Sequence, residues 1–433
     1  MNYISIINLI FLIIGGIFAL YLFHFIFFAI SGIVHKKKYP SRIERCRYAA
    51  VISCKDEENV IARLIKNLKE ADYPIDKLDI YVIAHNCSDN TAKVAEANGA
   101  KVIIYNNKEA NAVGYAYEYF FDNLKDISSY DGFFIFDADN KVKKDFFIKM
   151  NDAFLYYDKK DIINSFRSAL NFDKGVMPAC YGLYFATGCL LAFNGRNNFN
   201  VSGRISGCGF VIPSYILEKG WHYKSLTEDV EFSVDNVLNG SKIHYCHEAT
   251  FYDEQPLRFK AMWVQRLRWS KGLLDVSRKY FFKLLFGLFN KNKKNKVSMY
   301  TFLTFHSFLS YAGFTIFILP YILMLFAPLT GISLETAFLY WDHNASWFYN
   351  MFLSLNTGAL FFLARALVFG LIFLYLMGTA TLVASYDKYK NNKKSILFLS
   401  WLVFPLFIML QLPLDIVALF SKDLKWNKTK HGE

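Results

Sequence analysis

Gly132-Phe133-Phe134-Ile135-Phe136-Asp137-Ala138-Asp139 is a short apolar run that stops abruptly at two carboxylates. Aromatic and β-branched residues suit a buried pleated strand, and a strand apolar on both faces belongs inside a sheet covered on both sides. Two carboxylates two residues apart can share a divalent cation, which in turn neutralises a diphosphate. Alone, D-x-D also fits a solvated loop end, so its weight depends on its surroundings.

Three more apolar runs precede it: Tyr48 to Ser53, Leu78 to Ala84 and Lys101 to Tyr105. Between them lie a polar helical stretch, Asp56 to Leu64, and a helix from Thr91 to Asn98. Strands alternating with helices predict an α/β domain with a mainly parallel, Rossmann-like sheet and ligands at the strand carboxyl ends. This domain is expected over residues 47–255.

Further along, the glycine-rich Ser206-Gly-Cys-Gly209 precedes Thr227-Glu228-Asp229. A carboxylate there could deprotonate an acceptor hydroxyl. The same tripeptide also reads as a helix N-terminus with acidic first-turn residues. Then comes Gln265-Arg266-Leu267-Arg268-Trp269. In a helix Gln265, Arg268 and Trp269 share one face, where Arg can fork onto a phosphate and Trp can floor a sugar ring. A basic-aromatic helix lying on a membrane gives the same pattern.

The ends of the chain are apolar. Hydrophobic residues make up 54% of the whole and aromatics 18%, above the roughly 45–50% apolar content of soluble domains. Ile4 to Val34 exceeds the roughly 20 apolar residues that span a bilayer, which predicts an N-terminal transmembrane helix over residues 1–34 rather than a cleaved signal. Amphipathic interfacial helices are expected over 256–296. Transmembrane or re-entrant segments follow over 297–420, interrupted at Pro405 and Pro413, with a basic tail over 421–433. The net charge of +12 lies beside the apolar runs, at His35 to Lys38, Lys291 to Lys296, Lys388 to Lys394 and Lys422 to Lys430. That placement fits membrane lipids and a cytoplasmic catalytic domain on a multi-pass protein of the cell membrane, and argues against nucleic acid. The seven cysteines form no C-x-x-C pair and read as reduced packing residues.

The order of the motifs is more specific than any one of them. Lys55-Asp56-Glu57-Glu58 after the first strand, Asp89, D-x-D, T-E-D and Q-x-x-R-W together resemble the membrane-embedded family 2 glycosyltransferases, which include cellulose, chitin, hyaluronan and poly-N-acetylglucosamine synthases. The resemblance covers roughly Tyr48 to Gly272. It implies a GT-A fold and a single-displacement, inverting transfer from a nucleotide-sugar with Mg²⁺ or Mn²⁺. By the same resemblance, Asp56 and Glu57 lie near the nucleotide and Asp89 shapes its pocket. Asp137 approaches the diphosphate and, with Asp139, holds the metal. Asp229 is the general base beside Glu228, and Gln265, Arg268 and Trp269 clamp the pyrophosphate and acceptor end.

Two positions depart from that pattern. His85 stands where the family commonly has an Asp that contacts uracil. Ala112-Val113-Gly114-Tyr115-Ala116 stands where it commonly has G-K-G-Y-A, for which Lys108 is a candidate substitute. The donor implied is a UDP-sugar and the leading acceptor a growing polysaccharide, passed outward through the membrane segments. The alternatives are transfer of one sugar to a lipid and a catalytically lapsed membrane scaffold.

Overall fold

The computed structural model describes residues 3–303, 327–331, 333 and 359–421. The expected segments between 304 and 358 and the basic tail lie largely outside them. Four runs form strands as expected: β1 Tyr48–Cys54, β2 Leu78–His85, β3 Lys101–Tyr105 and β4 Gly132–Asp137. Four further strands follow, β5 Lys141–Val142, β6 Ile162–Ala169, β7 Phe210–Pro213 and β8 Ile243–Asp253. They make one sheet in the order β3-β2-β1-β4-β7-β6-β8-β5.

The sheet is mixed yet mainly parallel, as expected: six of its strands run one way and two the other. β3, β2, β1 and β4 run parallel, and so do β6 and β8. β7 is antiparallel to both of its neighbours, and β5 is antiparallel to β8. The reversal comes from β7, a four-residue strand reached through the helical segment Val176–Asn198 and then a glycine turn, and the direction of so short a strand does not show in apolar periodicity. Every residue of β1 is buried. Tyr48, Ala50 and Ile52 pack on one face and Ala49 and Val51 on the other, each under its own helical layer.

The chain runs from β1 outward through β2 to β3, then returns to place β4 on β1's other side. The crevice where the order reverses is where open α/β sheets bind ligands. Here it sets the ends of β2, β1 and β4 side by side, carrying His85, Lys55 and Asp137.

Helices cover the site from the other side. The N-terminal helix Tyr3–Val34 crosses the helical segment that runs from Val176 to Asn198. They meet through Gly32 and Gly195: a Cβ on Gly32 would strike the Leu190 carbonyl, and one on Gly195 the Phe28 carbonyl. Small residues let helix backbones approach this closely. Asn194 donates to the Gly32 and His35 carbonyls at 2.8 and 2.7 Å, and Asn198 donates to Ser31 O at 3.1 Å, so the last turn's acceptors are satisfied. Val176–Asn198 was not anticipated as a separate element, because it lies inside the stretch read as one soluble domain. Among the described residues, it and Lys394–Phe420 are long and apolar enough to cross a membrane.

Residues Phe259–Phe289 form a single helix of 31 residues, not several, and expose Phe281, Phe282, Phe286 and Phe289 along its second half. Helices Lys394–Met409 and Gln411–Phe420 meet at Leu410, whose backbone stays helical. Pro405 lies inside the first of these helices and Pro413 in the first turn of the second, so the helical path Lys394–Phe420 continues past both expected interruptions.

Candidate active site

A cavity of about 510 Å³ opens at the ends of β1, β2 and β4, within the usual range of small-molecule sites. Glu57, His85, Asp137, Asp139, Glu228, Asp229, Gln265, Arg268 and Trp269 line it, drawn from positions spread over some two hundred residues. Asp56 and Asp89 do not line it. Asp56 Oδ1 accepts from the Ser88 N–H at 2.6 Å and the Ser88 hydroxyl at 3.0 Å, while Asp89 accepts from the N–H groups of Glu58 and Thr91 at 3.1 and 2.9 Å. These two carboxylates tie the loop after β1 to the loop after β2. Their oxygens and the Cys87 sulfur lie within 4.8 Å of one another.

At the end of β4 the D-x-D turn is locked by Asn140, which is fully buried. Its Oδ1 accepts from the Asp137 N–H at 3.1 Å and its Nδ2 donates to Asp139 Oδ1 at 3.0 Å. Asp137 is accessible from the cavity, and the desolvation imposed by the protein around it raises its pKa against the opposing pull of Arg167.

The helix Glu228–Leu238 begins at the T-E-D motif, with Thr227 as its N-cap residue. The Thr227 side chain makes no capping hydrogen bond, and its Oγ1 is buried without a partner. The hydroxyl therefore caps nothing, while Glu228 and Asp229 do stand in the acidic first turn expected of a helix N-terminus. Asp229 Oδ2 accepts from the Gly207 N–H at 2.8 Å. Gly207 has φ +75°, and a Cβ there would lie 3.0 Å from Arg167 Nη1, so glycine is required where the loop presents its N–H to Asp229.

Burial, reinforced by the Asp229 charge, pushes the Glu228 carboxyl up to about 8. At neutral pH Glu228 therefore holds a proton beside Asp229. Because the folded value lies above the ordinary 4.5, the folded state binds more protons between those values. In the donor-free protein, stability is therefore expected to fall as pH rises from about 4.5 to about 8, by at most about 1.4 kcal/mol per pH unit and less where cavity water screens the charge. Glu228→Gln should flatten that slope, as read by chemical denaturation at several pH values. A slope unchanged in the variant would assign it to another group.

The helix Phe259–Phe289 places Gln265, Arg268 and Trp269 on the cavity as their spacing predicts. Gln265 Oε1 accepts from the Tyr181 hydroxyl at 2.8 Å, and Trp269 packs edge-on to Tyr181. Arg268 makes one long bond, to the Leu226 carbonyl at 3.5 Å, with Glu228, Asp137 and Asp229 nearby; burial lowers its pKa. Arg266, read only as part of a basic surface, is instead 2% exposed and donates to Phe407 O at 2.7 Å and Gln411 Oε1 at 2.9 Å. It joins this helix to Lys394–Phe420.

Gly272, one turn after Arg268, lets the helix touch the T-E-D motif. A Cβ there would stand 2.6 Å from Thr227 Cγ2 and 2.7 Å from Oγ1. Gly272→Ala should displace Thr227 and cost about 1–3 kcal/mol, the usual penalty of an overpacked core, with roughly tenfold lower turnover at the cost of a misplaced catalytic group. Thermal unfolding and steady-state assays check this, and a variant as stable and active as the parent would refute the contact.

His85 is 1% exposed at the end of β2, and burial, with Lys55 beside it, pushes its pKa down to about 4, so it is neutral at physiological pH. Lys108 is exposed and does not line the cavity. Lys55 does, with its ammonium bonded to Asn111 Oδ1 at 2.8 Å. The cation near the strand ends is thus Lys55, correcting the expectation for Lys108.

Arg167, Asp253 and Gln255 were not anticipated. Arg167 on β6 donates through Nε and Nη2 to Asp253 Oδ2 at the end of β8, and its guanidinium lies 3.8 Å from the Phe185 ring centre. Asp253 Oδ1 and both side-chain polar atoms of Gln255 are buried without partners on the cavity wall, as is Ser53 Oγ. Buried polar groups are normally bonded, so this concentration on one cavity marks a wall built for a polar ligand. Half of the strand Ile162–Ala169 is polar (Asn164, Ser165, Arg167 and Ser168), so Arg167 does not stand out along the chain.

Residues 46–272 match the family model described as Glycosyltransferase like family 2. Over 458 residues the chain is 25% identical to the "Probable glycosyltransferase YdaM" of Bacillus subtilis, covering 98% of this chain and 97% of that one. It is 23% identical over 238 residues to a beta-monoglucosyldiacylglycerol synthase of Trichormus variabilis, covering 51% of this chain and 48% of that protein. It is 24% identical over 248 residues to a poly-beta-1,6-N-acetyl-D-glucosamine synthase of Staphylococcus aureus, covering 54% and 56%. The match thus spans about half the length of those last two relatives. In fold the chain is similar to the mannosyltransferase PcManGT of Pyrobaculum calidifontis, solved with GDP-Man and Mn²⁺, at TM-score 0.54 and 14% identity over 90% of this chain and all of that one.

Proposed function

This chain belongs to glycosyltransferase like family 2 and is a glycosyltransferase, and from that premise we propose that it moves a sugar from a nucleotide-diphosphate donor to a lipid acceptor at the cytoplasmic face of the cell membrane. The observation that carries this reading is the single cavity that runs from Asp137, Asp139 and Asp229 to a wall of apolar side chains on flanking helices, including Leu22, Phe25, Phe373 and Leu374. A soluble acceptor would not need that wall.

In this reading the nucleotide lies at the ends of β1 and β2, near Lys55, Glu57 and neutral His85, over loops held by Asp56 and Asp89. Two carboxylates do not complete a cation's coordination shell, which suits Mg²⁺ or Mn²⁺, ions that keep water and take substrate phosphates as their other ligands. Asp137 and Asp139 would hold the ion, which supplies charge neutralisation to the departing diphosphate. The half-buried Arg268 faces the same charge, and Gln265 and Trp269 border the acceptor side. Asp229 takes the proton from the acceptor hydroxyl as its oxygen bonds the anomeric carbon, and the bond to the diphosphate breaks on the opposite face, inverting the configuration. Glu228, protonated, avoids a second negative charge beside the base.

A growing polysaccharide is the second reading, favoured by the aromatic walls at Tyr184, Phe185 and Trp269, on which sugar rings can stack. Membranes holding the protein, incubated with a panel of labelled UDP- and GDP-sugars, test both. A single organic-soluble labelled product supports the lipid reading, and a ladder or polymer supports the second. Consumption of no donor by folded protein would overturn both and favour the lapsed scaffold.

A further inference from the structure

Beyond the carboxylates the cavity continues between the helices, and its far wall carries positive charge among apolar residues. Tyr21, Leu22 and Phe25 of the N-terminal helix line this arm, together with Phe373, Leu374 and Met377 of the helix Ala359–Ala384. Arg196 and Arg204 line the same arm. Arg196 is 7% exposed; its Nη1 donates to the Ala192 carbonyl at 3.1 Å, and its Nε has no hydrogen-bond partner. Among the described residues, the titratable groups that act on it are a second cation, Arg204, and the Tyr21 phenol, with no carboxylate among them.

The position of Arg204 is held from both sides. The Gly203 N–H donates to Ile243 O at 2.9 Å, the Arg204 carbonyl accepts from Asn164 Nδ2 at 3.0 Å, and the Ile205 N–H donates to Ser233 Oγ at 3.1 Å. Its guanidinium lies 5.8 Å from the Phe193 ring centre. Arg196 is buried with a second cation beside it, which costs hydration and adds repulsion, and an anion next to it offsets both. Guanidinium groups fork onto phosphate oxygens, and the apolar side chains beside them suit hydrocarbon.

We propose that this arm binds a lipid carrying a phosphate group, with the phosphate held by Arg196 and Arg204 and the hydrocarbon along Leu22, Phe25 and Phe373. The assignment rests on the lipid-acceptor reading and names the chemistry of that acceptor. Arg204 is three residues from Gly207, whose N–H holds Asp229, so their Cα atoms are at most about 11 Å apart. Arg196, Arg204 and Asp229 line the same cavity. The donor's diphosphate is a separate anion, matched to Asp137, Asp139 and Arg268 at the strand ends.

The test uses the full chain in neutral detergent, titrated with dioleoyl phosphatidate, dioleoylglycerol and inorganic phosphate, with binding read from the shift in thermal unfolding. Wild type should bind phosphatidate at least tenfold more tightly than either other probe. Arg196→Gln and Arg204→Gln should each weaken phosphatidate binding about 10- to 100-fold, the usual loss for one charged hydrogen-bonded contact, while binding of the donor nucleotide stays unchanged. Arg196→Lys should keep part of the affinity. If Arg196→Gln does not melt cooperatively, Arg204→Gln carries the comparison. Unchanged phosphatidate affinity in the glutamine variants, or equal affinity of wild type for dioleoylglycerol, overturns the site. Inorganic phosphate binding as tightly as phosphatidate overturns its assignment to a lipid. The lipid-acceptor reading is judged separately, by labelled sugar entering the organic phase with wild type. Arginine-dependent phosphatidate binding without such transfer would keep the site and discard the acceptor reading.

Discussion

Asp229→Asn is expected to lower turnover by about 10²–10⁴-fold, the usual contribution of a positioned general base, with donor binding close to wild type. The substitution is nearly isosteric, and the Asn carbonyl can still accept from the Gly207 N–H that now bonds Oδ2 at 2.8 Å. The loop carrying Gly207 therefore stays in place, and what is lost is the ability to take a proton. A drop in kcat with little change in KM for the donor is the expected pattern. Glu228, protonated at neutral pH by its buried position beside Asp229, becomes easier to ionise once that neighbour is neutral. The residual activity should therefore rise with pH more steeply than in wild type. Turnover within threefold of wild type would remove Asp229 from the role of base.

The second large effect is expected at the D-x-D turn. Asp139→Asn should lower turnover by about 10²–10³-fold, because charge stabilisation by a bound cation is worth several kcal/mol. Chelation of divalent ions should do the same to wild type. The fold should survive, since the turn depends on the buried Asn140, whose bond to the Asp137 N–H does not involve the Asp139 carboxylate. Raising Mn²⁺ should restore part of the variant's activity, because Asp137 remains as a ligand. Metal-independent turnover in wild type, or full activity in Asp139→Asn, would sink the assignment of a cation to this pair.

Much of this site could be read along the chain because its parts are local. An apolar run ending in two carboxylates marks a strand end along the chain, and Gln265, Arg268 and Trp269 share a face by helical geometry alone. The Arg167–Asp253 pair is different. Its members are 86 residues apart and meet because β6 and β8 are neighbours in the sheet. Arg266 illustrates the same limit at short range. Its neighbours in the motif were legible, but only the presence of Phe407 and Gln411 turns a basic surface residue into a buried link between two helices. At Thr227-Glu228-Asp229 both expectations meet, since the motif opens a helix with an acidic first turn and also lines the cavity, and only the contacts show that the Thr227 hydroxyl makes no cap bond.

By itself, then, the sequence determined the alternation of strands and helices, the D-x-D, T-E-D and Q-x-x-R-W positions and the apolar character of the ends, because each depends on periodicity or on residues within a turn of one another. Only the tertiary structure decided that the sheet is mixed, that Lys55 rather than Lys108 lines the cavity, and that the donor end and the arm bearing Arg196 and Arg204 belong to one cavity. Those outcomes depend on which strand pairs with which and on which helices cross at Gly32 and Gly195, and such pairings are set by packing between segments far apart in the chain.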